Sequence, residues 1–340
     1  MKKSVLSLLM LLVSAVGAQA KYWKIGPSSV AGMDFASINA AMESDNVAAG
    51  DTLYLDQYYN ESLEQTVTKA VVIIGTGYDT ALNDEQVVAR LTNILNLKST
   101  NIVVKSVRLT TVQFWAKECT LDRCYSTSVK VSASIDGTNH IYSCFIEGDI
   151  VGYGTSSYSS LNIQNCVVRG QTRLLTNSTI NNNTMYYGSY YTLANITNSV
   201  ITNNIIMNAY YKSYSTYYDA SISSDVGASG SGNTIEHNLM GGSEGASYYP
   251  TNKYNLGNMD YLFENTGTYS NIYKLNASTG DNAALGYATD GGEVGCHGGM
   301  FGCPSGGRPQ YIPYFKKVQV GSRTEDGKLP VTLKIAIQSE

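Results

Sequence analysis

The chain has 340 residues, a formal net charge of −4 and only 15% charged residues, so it carries no basic footprint for a nucleic-acid backbone. Tyr is abundant at 27, against six Phe and two Trp. With Asn, Ser, Thr and Gly also plentiful, this composition disfavours a helical domain and favours β structure joined by polar turns.

Residues 1 to 20 read as a secretory signal rather than as part of the fold. Lys2 and Lys3 precede an apolar run from Val5 to Val13, and Ala18-Gln19-Ala20 offers small residues for cleavage after Ala20. The run is shorter than the ~20 residues that span a bilayer. The mature chain is therefore expected outside the cytoplasm, secreted or periplasmic, not inserted in a membrane, and monomeric.

Residues 22 to 80 predict a strand at Tyr22 to Ile25, then a short amphipathic helix. Asp34 stands as an N-cap candidate, and Phe35, Ile38, Ala41 and Met42 recur at helical spacing. Ala49-Gly50-Asp51 turns the chain. Thr52 to Asp56 alternates, and Val71 to Ile74 is a continuous apolar strand closed by Gly75-Thr76-Gly77. A helix followed by successive short strands suits a solenoid whose open end the helix plugs, because an uncapped end exposes strand edges.

From about residue 92 to 240 the chain repeats. Segments beginning at His140, Asn162, Leu174, Asn195 and Thr234 each run aliphatic, polar, a small or polar pair, then aliphatic. Aligning them places Cys124, Cys144, Cys166, Ser178, Ser199 and Asn238 in one column, mostly at steps of about twenty residues, the mark of a solenoid. One such coil cannot bury its own apolar side, so coils must stack. The predicted fold is all-β: a right-handed parallel β-helix over residues 21–290, with an N-terminal capping helix. A Gly/Pro-rich segment and β-hairpin follow over residues 291–340. The hairpin is read from Val318 and Val320, the turn Asp326-Gly327, and alternating Leu329, Val331, Leu333, Ile335 and Ile337.

Three sets of residues are candidates for chemistry. In the aligned segments Glu147 and Arg169 occupy equivalent places on consecutive coils, and Asn181 and Thr202 would continue their column. Stacked strands lie ~4.8 Å apart, so Glu147 and Arg169 form either a surface ion pair or, with Asp149, part of an acid/base site; the ion-pair reading is the stronger. Cys124, Cys144 and Cys166 are expected to stack as buried, inert thiols. Cys296 and Cys303 bracket a Gly-rich loop and are expected to form a disulfide. The competing reading, zinc held by both with His297, lacks a fourth ligand. His140 and His237 are read as hydrogen-bonded structural residues. Doubled tyrosines, among them Tyr186, Tyr187, Tyr190, Tyr191, Tyr210 and Tyr211, fall in presumed loops between coils. They either cover the solenoid or offer amphipathic rings to a sugar.

Residues 22 to 80 resemble the opening of pectate-lyase-like right-handed β-helix proteins. The resemblance is carried by Phe35-Ala36-Ser37-Ile38, Ala49-Gly50-Asp51-Thr52-Leu53-Tyr54-Leu55 and Val71-Val72-Ile73-Ile74-Gly75. The end, with Gly286 to Gly302, then Pro304 to Pro313, then a hairpin, is similar to secreted bacterial β-helix proteins. The resemblance implies a polysaccharide or other glycan as partner. It does not imply pectate-lyase activity, since no Asp cluster on successive coils matches that family's calcium site. No obligate cofactor is implied, and calcium held by loop carboxylates stays open. The expected function is a secreted protein that binds extracellular polysaccharide and, if it is an enzyme, processes it as a lyase or glycoside hydrolase. The alternative is a non-catalytic surface or adhesion protein with the solenoid as spacer.

Overall fold

The structure is a computed structural model. It describes residues 20–79, 87–132, 135–153, 159–187, 191–208, 222, 224–227, 231–241, 252–255, 262–264, 273–277, 284–303, 306–307, 314–320 and 331–336. Tyr190, Tyr210, Tyr211 and all but the last residue of the proposed signal lie outside these.

The described chain winds as a parallel β-helix. One face is a ten-stranded parallel sheet that starts with Tyr22–Ile25 and Thr52–Leu55 and ends with Val200–Thr202 and Thr234–Glu236. The other two faces are joined in the middle by the long strands Arg90–Leu97, Arg108–Phe114 and Tyr125–Val131. Further along they separate. Phe145–Ile146, Val167–Val168, Thr184–Tyr187 and Ile205–Asn208 form a second face, and Ile150–Val151, Thr172–Thr176 and Leu193–Thr197 form a third.

Side chains alternate across each strand, and the inward positions stack into apolar ladders. On the first face one ladder runs Leu53, Ile73, Val104, Leu121, Ile141, Ile163, Ile180, Ile201 and Ile235, each a register partner of the next. All nine are buried. The second face supplies Leu91, Leu109, Ser126, Ile146, Val168, Met185, Ile206 and Met240. No single coil closes this core; it exists only through stacking.

The first end is plugged by helix α1, Ile38–Glu43, whose Ile38, Ala41 and Met42 enter the core. Its N-cap is Ser37, whose Oγ accepts from the Ala40 N–H, rather than Asp34. Asp34 instead accepts from the Lys24 N–H. Asp51 is buried and accepts from the N–H groups of Lys21 and Ala48 and from Trp23 Nε1. Burial alone would raise its pKa, but these hydrogen bonds hold it below the ordinary carboxylate value.

The corner after the first face is built by pairs of residues. The first of each pair adopts positive φ: Arg123, Ser143, Asn165, Asn182, Asn203 and His237. Asn tolerates this region better than most L-residues. The second points inward: Cys124, Cys144, Cys166, Asn183, Asn204 and Asn238. From Cys144 onward, each of these side chains accepts from the backbone N–H of the inward residue one coil earlier, from Cys124 N to Cys144 Sγ at 3.3 Å through Asn204 N to Asn238 Oδ1 at 3.0 Å. The Asn183, Asn204 and Asn238 amides also donate to the carbonyls of Ile163, Ile180 and Ile201.

This register corrects part of the sequence alignment. Cys124, Cys144 and Cys166 do share a column, but Ser178 and Ser199 stand at the opposite corner. There Ser178 Oγ accepts from Leu161 N, Ser199 Oγ from Ser178 N and Asn233 Oδ1 from Ser199 N. The true successors of Cys166 are Asn183 and Asn204. Both corners use a positive-φ Asn followed by a small inward residue, as in Asn177-Ser178 and Asn165-Cys166, so the two corners read alike in sequence. Burial raises the Cys124 and Cys144 thiols well above their usual pKa. We expect no reaction of these two thiols with iodoacetamide at pH 8 in the folded protein and full reaction in urea, read by mass spectrometry.

A second apolar layer lies outside the solenoid. Tyr125, Phe145, Val167, Ile205 and Leu239 point outward from the second face, yet Phe145, Val167, Ile205 and Leu239 are buried. They are covered by residues between 262 and 303, including Leu262, Leu275, Ala284, Val294 and the Cys296–Cys303 disulfide. The Gly-rich segments 284–303 and 306–307 run back along the corner as a strap. The outward residues of the corner pairs hold it: His237 Nδ1 lies 3.1 Å from Tyr287 O, Asn203 donates to Thr289 Oγ1, Asn182 to Glu293 O and Asn165 to Cys296 O and Gly298 O. Ser143 Oγ reaches Phe301 O and Gly302 O at 2.9 and 2.8 Å. Glycine is required where the strap touches: a Cβ on Gly307, at φ +73°, would sit 2.2 Å from the Tyr78 ring. Beyond the strap, Tyr314–Val320 and Val331–Ala336 pair antiparallel as a hairpin.

Candidate functional site

The residues nominated from sequence are only partly brought together. Glu147 and Arg169 do stand on adjacent coils and pair at 3.2 Å, with side chains 37% and 42% exposed. Their column continues through Tyr186 and Met207, not through Asn181 and Thr202. Asn181 and Thr202 follow Gln164 on the outward side of the first face, a direct consequence of the corrected corner alignment. Asp149 Oδ1 accepts from the Gln171 N–H, a coil-to-coil tie. An exposed pair of this kind contributes roughly 0–1 kcal/mol. Arg169→Ala should therefore shift stability by less than about 1 kcal/mol in urea titration, and a larger loss would show a role that the geometry lacks.

Tyr186 and Tyr187 lie in the strand Thr184–Tyr187 rather than in a loop. The strand places them on the second face, where Tyr186 packs against the cluster around Ile205 and Met207. Tyr191 is exposed at 38%. Cys296, His297 and Cys303 form the one metal-ligand-type cluster among the described residues. The two sulfurs are joined in a disulfide, which leaves no thiolate for a metal.

The most connected polar array is one that sequence reading did not single out. On the outward side of the first face, His140 and Tyr142 occupy alternate positions of Thr138–Tyr142 and so share a side. Gln164 Nε2 donates to Asn162 Oδ1 at 2.7 Å, and Asn162 Nδ2 donates to the Tyr142 hydroxyl at 3.1 Å. With that oxygen accepting, the Tyr142 O–H donates to His140 Nδ1 at 2.9 Å. The His140 proton then sits on Nε2, which faces Glu118 Oε2 at 3.6 Å. The donors thus run one way across two coils, from Gln164 to His140, and Glu118 on the coil before stands at the end of the row.

The surroundings shape this array. Tyr142 stacks on Phe301 of the strap, with ring centroids 4.3 Å apart and planes within 7°. Burial raises the Tyr142 pKa, while the Asn162 hydrogen bond lowers it. Beside Tyr142 on the preceding coil, Asp122 is held by Arg123 at 3.0 Å and Lys105 at 3.5 Å. Chemically, a phenol, an imidazole and a carboxylate in line can take up or deliver a proton at the Tyr142 oxygen. The His140-x-Tyr142 spacing on a strand was the available sequence signal. The contributions of Glu118 and Phe301 depend on coil stacking and on the strap, which no local pattern announces.

Parallel β-solenoid is the class that this fold defines. No family model, curated protein or solved structure matches the chain. Among the described residues, no helix is long and apolar enough to cross a membrane.

Proposed function

We propose that this chain is an exported protein that binds an extended extracellular polysaccharide on the outward side of its first face. The observation that carries this reading is the one-way row of side chains from Gln164 through Asn162, Tyr142 and His140 to Glu118. Hydroxyl, amide, imidazole and carboxylate groups present both donors and acceptors to sugar hydroxyls, and the Tyr142–Phe301 stack adds an aromatic body beside them. Parallel coils space the outward side chains ~4.8 Å apart along the axis, and an elongated solenoid surface suits an elongated ligand. The likeness of residues 22 to 80 to pectate-lyase-like coils supports the same ligand class. Processing of the bound chain would use Tyr142 and His140 as the proton-transfer pair, with Glu118 orienting the imidazole.

A glycan array and a depolymerisation screen on the mature chain, with Tyr142→Ala and Asn162→Ala beside it, test the proposal. Binding of at least one polysaccharide, weakened about tenfold by either substitution, is expected, since each removes a hydrogen-bonding group worth about 1 kcal/mol or more. Absence of binding across plant, host and microbial glycans would defeat it, and would leave the alternative of a non-catalytic spacer.

A further inference from the structure

We infer that the Cys296–Cys303 disulfide is a redox control on the first-face array. While the bridge is closed, Phe301 is held on Tyr142; reduction by a dithiol releases Phe301 and dismantles that aromatic body. The coupling of the bridge to Tyr142 stands on the strap itself, whereas its effect on ligand affinity rests on the polysaccharide reading above. The bridge closes the loop 296–303 over a sequence separation of 7, and Phe301 stands two residues before Cys303 within it.

The two halves of the bridge differ. Cys296 is buried and packs with Phe145 and Val167 beneath the strap. Its N–H donates to Thr184 Oγ1 at 3.1 Å, and its carbonyl accepts from Asn165 Nδ2 at 3.0 Å. It is the fixed point. Cys303 is half-buried, at the outer edge of the same cluster. Between them the loop has wide backbone freedom, because Gly298, Gly299 and Gly302 fall within it, the last two at φ +71° and +73°. Met300 at its tip is 89% exposed. Hydrogen bonds hold Phe301 only loosely. Ser143 Oγ faces both Phe301 O and Gly302 O with a single proton. The Phe301 N–H reaches Asn165 Oδ1 at 3.4 Å, long for such a bond.

The bridge is therefore what ties the Phe301 arm to the fixed Cys296. In the chain-entropy model a ring of this size favours the closed loop roughly fiftyfold. Cys119, Cys124, Cys144 and Cys166 are free thiols, so a dithiol has one disulfide to act on. One reductant thiolate attacks the Cys303 sulfur; the protein S–S bond breaks, and Cys296 leaves as a thiolate and takes up a proton. The second reductant thiol then displaces Cys303, so that two protein thiols form and the reductant is oxidised to its own disulfide. The consequence falls on Tyr142. Phe301 lies flat on its ring at 4.3 Å. Burial is the main cause that raises the Tyr142 pKa, and the Asn162 hydrogen bond opposes it. Removing the Phe301 cover lets water reach the phenol while the Asn162 bond stays, so the pKa moves down.

Carbon NMR of ring-labelled tyrosine tests this, with the Tyr142 resonance assigned by Tyr142→Phe. The mature chain is titrated with pH before and after treatment with dithiothreitol, beside Cys303→Ser and Phe301→Ala. The Tyr142 pKa should fall on reduction, and Cys303→Ser should show the lower value without reductant. Phe301→Ala should lower it in the oxidised protein and leave dithiothreitol nothing further to change. A Tyr142 titration indifferent to reduction overturns the inference, as does a fall on reduction that persists in Phe301→Ala. Amide exchange around Ile38 should stay the same in every form. A rise there on reduction overturns the inference too, because the bridge would then serve the whole solenoid. Affinity for a bound polysaccharide should drop at least about threefold on reduction, since apparent affinity follows the binding-competent fraction. A shifted Tyr142 with no polysaccharide bound in either state upholds the redox coupling and defeats the polysaccharide reading. An unshifted Tyr142 with binding intact in both states defeats the coupling and leaves the polysaccharide reading standing.

Discussion

Asn204→Ala should destabilise the solenoid by about 4 kcal/mol, because it strips several buried hydrogen bonds at once. The Asn204 side chain is fully buried. Its Oδ1 accepts from both the backbone and the side-chain N–H of Asn183, at 2.8 and 3.0 Å. Its Nδ2 donates to Ile180 O and Thr202 O, both at 2.8 Å, and to Asn238 Oδ1 at 2.9 Å. Alanine leaves these groups unsatisfied within the corner, and each buried orphan costs about 1–3 kcal/mol. Partial entry of water sets the total below the full sum. The readout is amide hydrogen exchange resolved by coil, because stability in a stacked array is carried by neighbouring units. Protection should collapse around Asn183 and Asn238 and stay near wild type around the helix-capped end. A uniform small change along the chain would show that the Asn ladder does not tie coils together.

The second large effect is expected at Ile163. This residue is fully buried in the longest aliphatic ladder, between Ile141 and Ile180. Ile163→Ala removes three carbons and leaves a cavity that regular stacking cannot collapse. The expected cost is about 3–4 kcal/mol, within the range for large-to-small core changes. The adjacent Asn162→Ala faces solvent and should cost less than about 1 kcal/mol. The pair is informative because one residue of sequence separates an inward from an outward position. Urea titration of both variants measures the contrast, and comparable losses would mean that the strand does not face as described.

The solenoid itself was legible because its cause is local and repeated. Alternation around Ile141 and Ile163 and the helical spacing of Ile38, Ala41 and Met42 each state which side is buried, and the apolar run Val71 to Ile74 marks a strand. The finer register was not. Asn177-Ser178 and Asn165-Cys166 satisfy the same backbone geometry at opposite corners, so similarity of sequence did not mean identity of place. The dipeptides Asn182-Asn183 and Asn203-Asn204 held the missing information: the first residue turns out to the strap and the second turns in to the ladder. The outer layer had a signal too. Phe145-Ile146, Val167-Val168 and Ile205-Ile206 are adjacent apolar pairs, which place apolar side chains on both sides of a strand and so require a cover. The Glu118–His140–Tyr142 array was hidden for a different reason, since it joins residues on different coils that meet only through stacking.

Oxidative cross-linking of paired cysteine substitutions tests the coil register most directly. Asn162 and Thr179 are Cα partners on adjacent strands of the first face. Strand neighbours lie within the ~4.4–6.8 Å Cα range of a disulfide. Asn162→Cys with Thr179→Cys should therefore close a disulfide under mild oxidation, seen as the loss of both added thiols by mass spectrometry. If that pair stays reduced while Val167→Cys with Thr179→Cys closes instead, Ser178 rather than Asn183 follows Cys166, and the stacking described here is wrong.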